Sequence, residues 1–350
     1  MKFLIIRFSS IGDIVLTTPV VRCIKTQIVT AEVHFLTKQA FAPIFKANPY
    51  VDKMHYLQDD LDAVIEELKQ EDFDYVIDLH HNLRTLKVKR ALGKKSFSFN
   101  KLNIEKWMLT AIKMDVLPEV HIVDRYMETV MSFGVKDDER GLDYFIPDDE
   151  HIHESDIPAA QLAGYIGIVI GGAHNTKKYP VEKWKELCAK LDHPVILLGG
   201  KEDREDGEAI ASVDAIKIYN ACGKFSLNES ADLVRRAKLI ITNDTGLMHV
   251  AAAFKKPVIS LWGNTVPEFG MYPYYGDGDE EDIVSEKKMN RQGNREVVSA
   301  GQRHDIIEID VLSCRPCSKI GYKKCPLGHF KCMQLITAET IVERIKKRLE

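Results

Sequence analysis

The chain has 350 residues, 45% of them apolar and 29% charged, with a formal net charge of −4. This is the composition of a globular protein with room for two domains, not of a disordered or collagenous chain, and no apolar run has the length of a membrane span. Near-balanced charge without a Lys/Arg-rich tail argues against a nucleic-acid partner. The opening residues lack a secretory signal pattern and the seven cysteines are compatible with reduced thiols, so the expected location is cytoplasmic.

Strand and helix signals alternate along the chain. Phe3 to Phe8 reads as a buried strand, and Gly12 to about Gln27 as a helix that Pro19 kinks or divides. Val33 to Leu36 is a short strand, Leu61 to Lys69 has helical spacing, and Tyr75 to Leu79 is a strand leading into His80 and His81. A polar stretch at 147–160 breaks the rhythm and marks a domain boundary. Strands then restart at Tyr165–Ile170, Pro194–Leu198, Leu239–Ile241 and Pro257–Leu261. Alternation of this kind predicts an α/β fold with parallel sheets and crossover helices. Residues 276–304, rich in Gly, Asp, Glu, Lys and Asn, read as a mobile surface insertion, and Ala338 to Leu349 as an amphipathic closing helix.

Two strand-to-helix junctions stand out. One is Ser9-Ser10-Ile11-Gly12-Asp13 and the other Asn243-Asp244-Thr245-Gly246-Leu247-Met248-His249. A junction built of small polar residues and glycine offers free backbone N–H groups and the positive end of a helix, which suits phosphate. One in each half predicts two nucleotide-type domains facing each other. Neither half carries Gly-x-Gly-x-x-Gly after its first strand, which disfavours a dehydrogenase.

These residues resemble a known family. Phe8 to Pro19 looks like the N-terminal signature of the family 9 glycosyltransferases, the lipopolysaccharide heptosyltransferases, and Asn243 to Ala253 like their C-terminal signature. Trp262 to Pro267 resembles the loop that follows, and Thr176 to Trp184 a fourth segment in the same order. The resemblance implies a GT-B architecture of two facing Rossmann-like domains with the active site between them. Residues 1–155 would bind the acceptor and 156–335 the nucleotide sugar, with 336–350 crossing back onto the first domain. It implies transfer of heptose from ADP-heptose to a lipid A–Kdo core, with inversion and without a metal. A nucleotide-sugar-binding protein without transfer activity, or the same fold using another donor, is the alternative.

The resemblance makes Asp13 the general base for the acceptor hydroxyl, where a plain helix cap is the simpler role. A helix end there would hold the carboxylate ionised. Ser9 and Ser10 either satisfy the loop or contact the acceptor or phosphate, with Gly12 expected beside the acceptor. Thr245, Gly246 and Leu247 would present N–H groups to the donor diphosphate, Asp244 would orient the loop or meet sugar hydroxyls, and His249 would reach phosphate or sit paired in the core. Thr176 and Lys177 would meet the leaving diphosphate, with Lys177 catalytic by charge and Lys178 its competitor. Glu202 and Asp203 stand where a strand end meets a ribose.

Residues 84–113 carry nine cations against the single acid Glu105, interleaved with Leu86, Leu92, Trp107 and Met108. A solvated face explains such a run; an anionic lipid-linked acceptor at a membrane surface explains its apolar content too, with Arg84 and Lys87 as acceptor contacts and peripheral binding to the cytoplasmic face of the inner membrane. Cys314, Cys317, Cys325 and Cys332 open with zinc-ligand spacing. A structural zinc clip competes there with buried reduced thiols, the preferred reading. Asp277-Gly278-Asp279 reads as a chance carboxylate pair.

Overall fold

The computed structural model describes residues 1–276, 284–289 and 295–350. The Asp277-Gly278-Asp279 pair lies outside them. The first domain is a parallel sheet of β1 (Lys2–Ile6), β2 (Glu32–Lys38), β3 (Lys53–Leu57), β4 (Tyr75–Asp78) and β5 (Lys95–Ser98), in the order β3-β2-β1-β4-β5. Central β1 is buried on both faces by helices, which is why its sequence is a continuous apolar run rather than an alternation.

Its helices are α1 (Ile11–Val15), α2 (Thr18–Gln27), α3 (Leu61–Lys69), α4 (Leu83–Leu92), α5 (Asn103–Trp107) and α6 (Ile122–Met127). The expected division near Pro19 is present: α1 ends at Val15 and Pro19 sits in the first turn of α2, where its missing N–H costs nothing. Asp60 caps α3 through the N–H groups of Asp62 and Ala63. Asn82 opens α4 with a capping box, and Gly93 closes it at φ +64°, a left-handed position that glycine takes without strain.

The second domain contains α7 (Ala159–Leu162), α8 (Val181–Ala189), α9 (Arg204–Ala211), α10 (Leu227–Arg236) and α11 (Gly246–Ala253). They surround β6 (Ile166–Val169), β7 (Val195–Leu198), β8 (Ile218–Asn220), β9 (Leu239–Asn243) and β10 (Val258–Trp262). Three more strands, β11 (Val284–Met289), β12 (Arg295–Ala300) and β13 (His304–Ile309), complete the sheet in the order β11-β12-β13-β10-β9-β6-β7-β8. Of the mobile insertion expected at 276–304, residues 284–289 and 295–300 are strand instead, and 277–283 and 290–294 lie outside the described residues. β11 and β12 form an antiparallel ladder continued onto β13, with Val297 and Val298 buried inside. The polar residues of β11 and β12 belong to a sheet edge, where one face meets water.

A short helix, α12 (Lys331–Gln334), precedes the closing helix α13 (Ala338–Leu349). The expectation that α13 crosses back onto the first domain is also corrected. Its Ile341 and Ile345 join Trp184, Leu187, Ile259 and Leu261 in the second domain's core. Arg344 and Arg348 hold the buried carboxylate of Asp305 at 2.6 and 2.8 Å, which pins the helix there because an unpaired buried charge is costly. Between the domains, an apolar cluster runs from Phe3 and Phe35 through Tyr144, Ile152 and Tyr165 to Ile240 and Val250.

Candidate active site

In an open α/β sheet, ligands bind beyond the carboxyl ends of the strands where the strand order reverses. In the first sheet that point lies between β1 and β4. Arg7, just past the end of β1, spans it. Its Nη1 donates to the Leu79 carbonyl (2.6 Å) and the Tyr126 hydroxyl (3.0 Å), and its Nε to the Ser9 carbonyl (2.7 Å). The remaining Nη2 pairs with Asp13 Oδ1 at 2.7 Å. Asp13 Oδ2 accepts from the Ser10 amide (3.2 Å) and hydroxyl (2.9 Å). Burial alone would push the Asp13 carboxyl up; Arg7 and Ser10 outweigh it and hold it below the usual range. The expectation that a helix end does this is corrected: α1 has little more than one turn, and the Arg7 charge lies 2.7 Å away.

In the second sheet the reversal lies between β6 and β9. Asn243, the last residue of β9 and fully buried, ties these strand ends together. Its Nδ2 donates to the carbonyls of Val169, Ile170 and Gly171 at 3.2–3.3 Å, and its Oδ1 accepts from the Tyr179 amide at 2.9 Å. The next residue, Asp244, accepts from Lys177 Nζ at 2.5 Å and from the Thr265 hydroxyl at 2.8 Å. Thr245 then caps α11, whose first N–H groups have no intrahelical partner.

The two junctions face each other. A Cβ on Gly12 would lie 2.7 Å from His249 Cδ2 and 3.2 Å from Gly246 Cα; one on Gly246 would lie 2.8 Å from Ile11 Cβ. Glycine at both positions is what permits this approach. His249 is buried with Nδ1 unpartnered, and burial pulls its pKa to about 4 despite the nearby Asp244 and Asp13, so the imidazole is neutral at pH 7.

Cations gather on the first-domain side. Lys106 lies over the Phe269 ring (5.6 Å), and burial, with Arg125 beside it, brings its pKa down to about 7 although Asp13 opposes the shift. Arg125 is 3% exposed and bonds to carbonyls only, Phe269 (3.0 Å) and Asn100 (3.4 Å). Lys101 bonds the His81 carbonyl and Lys319, from the cysteine-rich segment, the Asn103 carbonyl. Among the described residues none of these four has a carboxylate in an ion pair. A half-buried cluster of cations, next to an ionised Asp13, is suited to an anionic sugar. A cavity of about 630 Å³, lined by Tyr144, Pro147, Arg235 and Phe254 among others, shares no residue with this site.

The profile of glycosyltransferase family 9 (heptosyltransferase) matches residues 62–296, two thirds of the chain. The chain belongs to glycosyltransferase family 9. It is 27% identical to lipopolysaccharide heptosyltransferase 1 of Campylobacter coli over 296 residues, covering 76% of this chain and 84% of that protein. The family 9 glycosyltransferase structure from Veillonella parvula superposes with a TM-score of 0.75 at 19% identity, over 99% of this chain and 97% of that one. The structure of the E. coli ADP-heptose LPS heptosyltransferase II gives 0.71 at 19% identity, over 100% and 98%. These likenesses bear out the expected fold of two facing Rossmann-like domains.

Within this glycosyltransferase, Asp13, Ser10, Gly12, Lys177, Asp244, Thr245, Gly246, Leu247 and His249 fall on the two facing junctions. Ser9 adjoins them, and its carbonyl is taken by Arg7. Arg84 is exposed, with its guanidinium over the Phe8 ring (5.4 Å), next to the Ser9-Ser10 loop. Glu202 is exposed at the end of β7. Three expectations change. Lys87 points across to α3 and pairs with Asp62 at 2.7 Å, because position 87 lies on the flank of α4 that packs there. Asp203 is 1% exposed, bonded to Lys178 (2.5 Å) and to the Gly200 amide (2.9 Å), so it holds a turn instead of meeting a ribose. The Thr176 hydroxyl donates to the Tyr322 carbonyl (3.1 Å) and accepts from its amide (2.8 Å), which fastens the cysteine-rich segment.

Sequence reasoning missed Arg7, Asn243, Thr265, Arg125 and Lys319. Only Arg7 left a local signal, a charge embedded in an apolar strand run. The four late cysteines form no disulfide. Cys314 Sγ lies 3.9 Å from His329 Nε2, and Cys317 and Cys332 each lie within electrostatic range of the other late cysteines.

Proposed function

We propose that this glycosyltransferase moves heptose from ADP-heptose to the lipid A–Kdo inner core of lipopolysaccharide, with inversion and without a metal. The observation that carries this reading is the placement of an ionised Asp13 across a narrow gap from the amino end of α11 and Lys177. The donor diphosphate lies on the N–H groups of Thr245, Gly246 and Leu247, and Glu202 takes a ribose hydroxyl. Asp13 accepts the proton of the acceptor hydroxyl as its oxygen attacks the anomeric carbon from the face opposite the diphosphate. The bond to the diphosphate breaks, its electrons leave with ADP, and Lys177 turns from Asp244 to meet the new charge. Attack from the opposite face inverts the anomeric centre.

The acceptor is an anionic lipid-linked sugar. Lys101, Lys106, Arg125 and Lys319 supply its counter-charge, and exposed Ile104, Trp107, Ile112 and Met114 form an apolar rim beside them for a membrane surface. Among the described residues no helix is long and apolar enough to cross a membrane, so the contact is peripheral. The test is ADP release from ADP-heptose with a Kdo–lipid A acceptor, run beside Asp13→Asn. Acceptor-dependent release that the variant loses supports the reading; turnover of another nucleotide sugar only, or release that persists in Asp13→Asn, overturns the donor or the base respectively.

A further inference from the structure

A second constellation lies at the other side of the first domain. His34 on β2 and His55 on β3 point into the layer beneath α3, at the edge of an apolar cluster containing Leu36, Leu68 and Phe73, and each is 1% exposed. Each ring has a carboxylate on its outer nitrogen. His34 Nε2 lies 2.8 Å from Glu32 Oε1, and His55 Nδ1 lies 2.7 Å from Glu67 Oε1. A carboxylate only accepts, so both outer nitrogens carry the proton. In neutral imidazoles both inner nitrogens, His34 Nδ1 and His55 Nε2, then present lone pairs to each other at 2.9 Å. Two facing lone pairs at that distance demand a cation between them.

Glu71, in the loop from α3 to β4, supplies a third donor. Its Oε2 is 3.9 Å from His34 Nδ1, and the three ligand atoms lie within 4.8 Å of one another. Lys2 bonds Glu32 (3.1 Å) and Glu71 (3.2 Å), and Lys53 pairs with Glu71. Three carboxylates against two ammonium groups leave the surroundings of the two imidazoles one negative charge in excess.

We propose that His34 Nδ1, His55 Nε2 and the Glu71 carboxylate bind one zinc ion, clipping β2, β3 and the entry to β4 together. Two imidazoles and a carboxylate are an established zinc donor set, with a water in the fourth position. Outer N–H groups held by carboxylates are the usual second layer around such ligands, fixing the tautomer and raising ligand basicity. On binding, Glu71 exchanges a lysine partner for the metal. This site stands apart from the Asp13 junction and does not depend on which sugar the enzyme transfers.

The test uses tag-free full-length protein, stripped of metal and titrated with Zn²⁺, with bound metal counted by mass spectrometry after desalting. Wild type should bind one equivalent more than Glu71→Gln and gain melting temperature on loading. Glu67→Gln, which keeps all three ligands, should weaken binding about 10–100-fold. Cobalt bound here should lack the thiolate charge-transfer band, separating it from metal on the late cysteines. Equal stoichiometry in wild type and Glu71→Gln, or zinc lost only in Cys314→Ser/Cys317→Ser, overturns the proposal and leaves a shared proton as the cation between the rings. A folding defect in Glu71→Gln is controlled by Glu71→Asp, which keeps the donor and should retain the metal.

Discussion

Replacing Arg7 with methionine separates the catalytic carboxylate from the charge that keeps it ionised. The Arg7–Asp13 contact is 2.7 Å, with side chains 10% and 20% exposed. Breaking a pair this buried typically costs about 3–5 kcal/mol, and the solvent edge on Asp13 places the expected loss toward the lower end. Arg7 also donates to Leu79, Tyr126 and Ser9, so part of that loss is structural. The chemical effect shows in the pH profile. In wild type the Asp13 pKa is depressed, so the base is ionised through the neutral range and kcat/KM should show no acid limb above about pH 5. Without Arg7, burial is opposed only by the two Ser10 hydrogen bonds, so the pKa rises. The limb should then move to higher pH than in wild type, with activity recovering as pH rises. Stability follows the same sign. In wild type this carboxylate stabilises the fold above its unfolded pKa, and the contribution is lost as pH falls through the folded value. In Arg7→Met the folded pKa rises toward the unfolded one, so this pH-dependent contribution shrinks. The assay is kcat/KM against pH for wild type, Arg7→Met and Arg7→Lys, with circular dichroism to confirm folding. A folded Arg7→Met whose acid limb coincides with that of wild type would falsify the assignment of Arg7.

The two adjacent lysines should behave oppositely. Lys177→Met should cost about 10²–10³-fold in kcat and less stability than its neighbour, because Asp244 keeps the Thr265 hydroxyl, whereas Lys178→Met leaves the more deeply buried Asp203 without its cation and should lose about 3–5 kcal/mol in denaturant unfolding with a smaller drop in kcat. Equal effects on both readouts would show that the roles are not divided this way. Gly12→Ala puts a methyl group 2.7 Å from His249 Cδ2, so kcat should drop and the fold should lose about 1–3 kcal/mol of stability to strain; unchanged kinetics would mean the junctions do not meet in the working enzyme. Lys106→Met should raise the acceptor KM while Lys87→Ala leaves it unchanged. In wild type that KM should climb as pH rises past about 7, where the free enzyme's Lys106 loses its proton, and a flat profile would exclude Lys106 from acceptor binding.

The sequence by itself determined whatever depends on local order. The alternation of apolar runs and helical spacing set the two parallel sheets, and Pro19 divided the first helix because a fixed φ and a missing N–H have only one good place. The two Gly-containing junctions were legible because strand end, small residue and helix start are neighbours in the chain. What only the tertiary structure decided were partnerships over long separations. Asp13 owes its ionisation to Arg7 rather than to a helix end, and Lys87 turns away while Lys106, from the same basic run, enters the site. Asp203 and Thr176 sit beside the right turns, but their polar atoms are spent on Lys178 and on Tyr322, a residue 146 positions away. The closing helix lies on the second domain because Asp305 must have its arginines there. Spacing tells which face of an element a side chain takes. Which charge stands opposite it is set by how the elements pack, and in a low-dielectric interior that charge decides the chemistry.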